Sequence, residues 1–165
     1  MTGAVVQISI SPGGVPKTPI PLGRVHKLGV EGDRHAHPEV HGGPRQALLF
    51  IAEEVLDELK AEGYPVFPGA LGENITTRGL DPRKFRIGQR WRVGPEVIVQ
   101  MTKVRVPCSA IKVYGESIGN RIYDKNVKQG DTTSPLYATG GMYAAVLEPG
   151  VIRPGDAMIL MEELA

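Results

Sequence analysis

The chain has 165 residues, enough for one hydrophobic core, and sets 19 Lys and Arg against 18 Asp and Glu for a formal net charge of +1. That balance excludes a general electrostatic grip on nucleic acid or on an anionic membrane, and leaves charge to act locally. One cysteine cannot close an intramolecular disulfide, no apolar run approaches the roughly 18 residues of a membrane span, and the opening "MTGAVVQISISPGG" has no basic start followed by an apolar core, so a reducing, cytoplasmic setting is expected.

In chain order, "GAVVQISIS" and "LGRVHKLGV" are rich in Val and Ile and read as two strands around a wide loop, "PGGVPKTPIP". From Pro44 to Gly63, "PRQALLFIAEEVLDELKAEG" places Ala47, Ile51, Val55 and Leu59 on one stripe with Leu48, Ala52 and Leu56 beside it, which predicts one amphipathic helix. Pro44 suits its first turn and Gly63 its left-handed end. "RWRVGPEVIVQMTKVRV" predicts a strand pair turning at Gly94-Pro95, and "GGMYAAVLEPGVIRPGDAMILM" a second pair turning near Glu148 to Gly150. Between them, residues 108–141 are polar and weakly periodic, as short helices or a long functional connection would be. The pattern is mainly β, in a single domain over 1–165: a closed barrel or folded-over sheet carrying one long helix.

Potential site chemistry is densest in "GVEGDRHAHPEVHGGPRQ", where Asp33, Arg34, His35, His37, His41 and Arg45 surround four glycines. Asp33, His35 and His37 have spacing that permits zinc, while a solvated polar loop explains them as well. Gly42 and Gly43, leading into a helix that starts at Pro44, would expose N–H groups at the positive end of a helix dipole, with Arg34 and Arg45 adding bidentate contacts to an anion. A tight turn accounts for the same glycines. A second glycine-rich loop, "PGALGENITTRGLD", holds Glu73, Asn74, Thr76 and Thr77 in a segment with little reason to be buried unless it meets a ligand; turn capping is the plain alternative. Cys108 follows Pro107 at a strand end with Lys103, Arg105 and Lys112 close in sequence, and cations near a thiol favour its thiolate. A lone cysteine is otherwise a small buried apolar residue.

Taken in order, "EGDRH", "HGGPRQAL", "GALGENITTRGLD", "IGQRW", "RVPC" and "GMYAAVLEPGVIRPGD" resemble a MOSC domain, the module named for the C-terminal part of molybdenum cofactor sulfurases. The resemblance spans most of the chain. It implies a closed β-barrel-like fold with one long peripheral helix and short helices, and a cysteine, here Cys108, that carries sulfur as a persulfide or coordinates molybdenum. It further implies that molybdenum cofactor (molybdopterin) meets Arg34, His35, His41, Gly42, Gly43, Arg45, Asn74, Thr76 and Arg105. No room exists for a pyridoxal phosphate desulfurase domain, so no pyridoxal phosphate is expected on this chain. Sulfur or electrons would then come from a separate protein, a cysteine desulfurase or an electron donor.

The leading expectation is thus a stand-alone MOSC protein, an oxidoreductase or sulfur-transfer protein, acting in sulfur transfer or in molybdenum-dependent reduction of a small N-hydroxylated substrate. Two alternatives stand beside it. One is a non-catalytic cofactor- or anion-binding module with a structural Cys108; the other is a zinc hydrolase built on Asp33, His35, His37 and His41.

Overall fold

Among the described residues, eleven strands follow from the short apolar runs. They are β1 (Thr2–Ile10), β2 (Thr18–Ile20), β3 (Gly23–His26), β4 (Gly29–Val30), β5 (Leu48–Ala52), β6 (Ile75–Arg78), β7 (Arg90–Val93), β8 (Val97–Val104), β9 (Met142–Glu148), β10 (Gly150–Ile152) and β11 (Ala157–Glu162). The protein is seen as a computed structural model that describes residues 1–35 and 42–162, Glu162 in its backbone only.

Seven strands in the order β11-β7-β8-β9-β5-β6-β1 close into a barrel, because β1 also pairs with β11 through Thr2↔Ile159, Gly3↔Met158 and Ala4↔Ala157. Closure leaves no free edge in the ring. Strand β2 hangs on β1, and β10, β3 and β4 form a small second sheet. Among the described residues only β5 and β6 pair in parallel, and the helix α1 (Glu53–Ala61) lies in the crossover that parallel pairing requires. The barrel interior holds Trp91, Phe50, Met101, Ile8 and Ile75, with Phe85 set edge-to-face on Trp91 at 5.4 Å between centroids. A second cluster, with Leu56, Leu59, Ile111, Ile118 and Ile122, lies beneath α1.

The helix expected over 44–63 is corrected. Residues Pro44–Gln46 form one 3-10 turn, Leu48–Ala52 is strand β5, and only Glu53–Ala61 is helical. All five residues of "LLFIA" are buried, with Leu48 and Phe50 in the barrel core and Ile51 and Ala52 in the outer cluster. A strand buried on both faces reads as a continuous apolar run, which helical spacing matches equally well. The predicted helix end is present, since Gly63 has φ 99°.

The second strand pair is also corrected. The chain does turn after Glu148, but β10 leaves the barrel and pairs with β3 through Gly150↔Val25 and Ile152↔Gly23. The pair at Gly94-Pro95 is present as β7 and β8. After Cys108 come the expected short elements: a 3-10 turn (Ser109–Tyr114), α2 (Ile118–Ile122) and α3 (Lys125–Lys128). Among the described residues, no helix is long and apolar enough to cross a membrane.

Candidate functional site

Strand β8 stops at Val104, and the chain is then held by Arg105 N–H donating to the Gly141 carbonyl at 2.9 Å. Pro107 cannot continue a ladder, and Cys108 opens the following 3-10 turn with its thiol half-buried. Behind it, Arg105 is buried, at 3% exposure for the whole residue. Its Nη1 donates to the Gly140 carbonyl at 3.1 Å, its Nη2 to the Leu71 carbonyl at 2.7 Å, and the same Nη2 lies 4.0 Å from Cys108 Sγ. This approach needs Gly141, at φ 121°, because a Cβ there would sit 2.8 Å from Leu49 Cδ1 and 3.4 Å from Arg105 Cβ.

Of the three cations near Cys108 in sequence, Arg105 alone is shown reaching the sulfur. Lys112 pairs with Glu116 at 3.9 Å, and Lys103 lines a different groove.

A cleft of about 160 Å³ opens in front of Cys108, and Lys17, Arg34, His35, Asn74, Arg105 and Tyr143 contribute to its walls. Three distant segments thus converge. The linchpin is Asn74, whose Oδ1 accepts from Leu49 N–H at 3.2 Å while Nδ2 donates to the Ser9 carbonyl at 3.3 Å and to Asp33 Oδ2 at 2.8 Å. Asp33 Oδ1 in turn accepts from Lys17 Nζ at 2.6 Å and from Ser11 N–H at 3.0 Å. The Lys17 and Asp33 side chains are 6% and 5% exposed, a buried ion pair satisfied on both sides. Lys17 Nζ also reaches the Arg34 carbonyl at 3.4 Å, and among the described residues its third N–H has no acceptor. Arg34 is exposed at the cleft wall, and its guanidinium pairs with no carboxylate among the described residues.

Glu73 lies fully buried beside this wall. Its Oε1 accepts from Leu71 N–H at 3.2 Å and its Oε2 from the Thr76 hydroxyl at 3.3 Å. Burial pushes its carboxyl up to about 7, against the pull of backbone N–H groups and of the Arg105 charge. Burial likewise raises the Tyr143 phenol, with Arg105 opposing.

The expected site residues therefore separate. Arg34, His35, Asn74, Arg105 and Cys108 share the cleft. Asn74, with both amide hydrogens engaged, positions the walls more than it offers donors. Thr76 is not on the cleft: Ile75–Arg78 is strand β6 of the barrel, between β5 and β1, with Ile75, Thr76 and Thr77 buried, a correction to the loop expected there, whose burial called for no ligand at Thr76. At Gly42, Gly43 and Arg45 the expected helix start is a single 3-10 turn with no useful dipole, and Arg45 is exposed and off the cleft. Gly42 instead packs under the His35 ring. His37 and His41 lie outside the described residues. For the zinc alternative, Asp33 is committed to Lys17, Ser11 and Asn74, and no group of three or more metal-binding side chains occurs among the described residues.

Sequence reasoning missed Lys17 and Tyr143. Lys17 sits in a breaker-rich loop, and nothing local signals a buried partner 16 residues away. Tyr143 reads as an ordinary β9 residue, and only the register Lys103↔Tyr143 brings it beside the end of β8.

Comparisons with known proteins agree with this architecture. Over 90 residues the chain is 36% identical to protein YiiM of Escherichia coli (strain K12), covering 50% of this chain and 38% of that protein. It is 30% identical over 138 residues to YflK of Bacillus subtilis (strain 168), covering 83% of this chain and 58% of that protein. A protein named Reductase from Gibberella moniliformis (strain M3125 / FGSC 7600) is 28% identical over 138 residues, 81% of this chain and 23% of its own length. The chain thus spans well under two-thirds of these relatives. Crystal structures of the YUAD protein from Bacillus subtilis (TM-score 0.72, 18% identity, 99% of this chain and 98% of that one) and of YiiM from Geobacillus stearothermophilus (TM-score 0.70, 24% identity, 97% and 75%) share the fold. The MOSC domain family model matches residues 37–159, and the chain belongs to the MOSC domain family, which is associated with the molybdenum cofactor.

Proposed function

We propose that this protein binds molybdenum cofactor in the cleft, with Cys108 as the soft sulfur at its inner end, and uses it in reduction of a small N-hydroxylated substrate or in passing on sulfur. The observation that carries this reading is the shared cleft of Cys108, Arg105, Arg34 and Lys17. The donor set suits the group: a thiol for a soft metal or a sulfane sulfur, and guanidinium and ammonium donors for a phosphate. The cofactor would supply the two-electron chemistry or the sulfur acceptor. The chain's own residues do the rest. Arg34 and the free N–H of Lys17 hold an anionic end, Arg105 sets cationic charge beside the Cys108 sulfur, and the Asn74–Asp33–Lys17 chain keeps the walls in register.

The reductive version draws on the Gibberella moniliformis relative that bears the name Reductase. In either version a separate protein supplies electrons or sulfur. The test is metal and pterin analysis of protein made in a cofactor-producing host. We expect molybdenum and pterin together in the native protein and loss of molybdenum in Cys108→Ala. Pterin with sulfane sulfur but no molybdenum would select the sulfur-carrier version, and equal retention by Cys108→Ala would reduce Cys108 to packing and refute the proposal.

A further inference from the structure

The end of β8 and the residues after it border two concavities. Arg105 lines the cleft, whereas Lys103 and Val106 line a second concavity of about 920 Å³. Val106 is two residues before Cys108, so the short segment 103–108 contributes to both the groove and the cleft. Apolar surface is left open there: Ile87 is 51% and Val106 50% exposed. Two half-exposed apolar side chains beside a concavity are area that a ligand can cover, and the charges around them decide which ligand.

The rim carries one sign of charge. Arg86, Lys103 and Lys128 line the groove, and among the described residues no carboxylate does. Lys103 and Lys128 pair with no carboxylate among the described residues, and Arg86 lies over the Tyr137 ring at 5.2 Å from its centroid. Three cations around an apolar floor complement a ligand that is both acidic and apolar. A nucleic acid or an anionic bilayer calls instead for a broad basic face, and the whole chain carries a net charge of only +1.

We infer that this groove docks an acidic, apolar segment of a partner protein, the one that serves Cys108. The inference rests on the functional reading above for the partner's task, and on the groove alone for the docking. Carboxylates of the segment meet Lys103 and Lys128, and its apolar side chains cover Ile87 and Val106. Bound there, the partner touches the same short segment, 103–108, that carries Cys108.

The probe is a fluorescein-labelled, amidated eight-residue peptide of alternating glutamate and leucine, followed by fluorescence anisotropy against the full chain. We expect saturable binding that weakens roughly tenfold in 0.5 M salt and at least as much in Lys103→Glu/Lys128→Glu, since exposed ion pairs are screened. The same double variant should gain affinity for the lysine–leucine counterpart. Both lysines are exposed, and circular dichroism of the variant confirms that it is folded. Cys108→Ser should bind the peptide as the native chain does, so failure of the cofactor reading leaves this result intact and distinguishable. Absence of saturable binding below about 1 mM, indifference to the double charge reversal, or equal binding of an oligonucleotide or of anionic vesicles would overturn the inference. So would concentration-dependent dimerisation abolished by the double variant, which would make a second copy the occupant.

Discussion

Arg105 Nη2 stands between two acceptors, 2.7 Å from the Leu71 carbonyl and 4.0 Å from the sulfur of Cys108. One buried guanidinium therefore ties the 69–73 turn to the cysteine, and its loss should appear in both places. Arg105→Met leaves the Leu71 and Gly140 carbonyls without donors, which is expected to cost about 2–4 kcal/mol. Alkylation of Cys108 by iodoacetamide at pH 7 should also slow relative to the native protein, because a neighbouring cation is gone. Urea unfolding and a timed alkylation check the two effects. An unchanged alkylation rate would remove Arg105 from any role at the sulfur.

Glu73 makes a prediction about pH. Burial raises its folded carboxyl to about 7 from the ordinary value of 4.5, so between these values the folded state holds a proton that the unfolded chain has released. Stability from this group is present in full below the unfolded value and is lost as pH rises through the folded one, by roughly 3 kcal/mol in total. Carboxylates with lowered values, such as Asp81 and Asp131, act in the opposite sense at lower pH. The clean measurement is thus the difference between native protein and Glu73→Gln in urea unfolding from pH 4 to 8. That difference should change over this interval, and parallel curves would show that Glu73 does not titrate there.

The Lys17–Asp33 pair predicts strong coupling. Removing either partner leaves a buried charge alone, so Lys17→Met and Asp33→Leu should each cost about 3–5 kcal/mol. The double variant should cost less than their sum, with an interaction of roughly 1–3 kcal/mol in a double-mutant cycle. Simple additivity would mean that the two side chains act independently.

Gly69 tests how closely two loops must approach. It has φ 94°, and a Cβ there would run into the Lys17 carbonyl oxygen, whose own N–H donates to the Gly69 carbonyl at 2.9 Å. Gly69→Ala is expected to destabilise by roughly 1–3 kcal/mol through backbone strain and displacement. It should also weaken anion binding at the cleft, since Lys17 moves with its backbone. Inorganic phosphate binding by calorimetry, compared with Gly63→Ala, provides the check. Gly63 also has positive φ but nothing within 4 Å of a built Cβ, so it reports strain without the clash. Equal phosphate affinity in both variants would detach Lys17 from the cleft.

The β-rich class was legible in the apolar runs and turn residues, which are local signals. The family, and with it the expectation that Cys108, Arg105, Arg34, His35 and Asn74 serve one ligand, came from the resemblance of motifs in linear order to a MOSC domain, and five of the residues so implied do line one cleft while Thr76 and Arg45 do not. Tertiary structure decided what each of them touches. "LLFIA" is a strand because two cores claim its two faces, which no spacing within the run reveals. Thr76 left the candidate site because β6 is a barrel stave, whereas Lys17 entered it because a carboxylate 16 residues away neutralises it in a buried place. Strand β10 chose β3 over its neighbour β9 for the same kind of reason: pairing and burial are settled by which surfaces meet across the closed barrel, and those contacts join residues far apart in the chain.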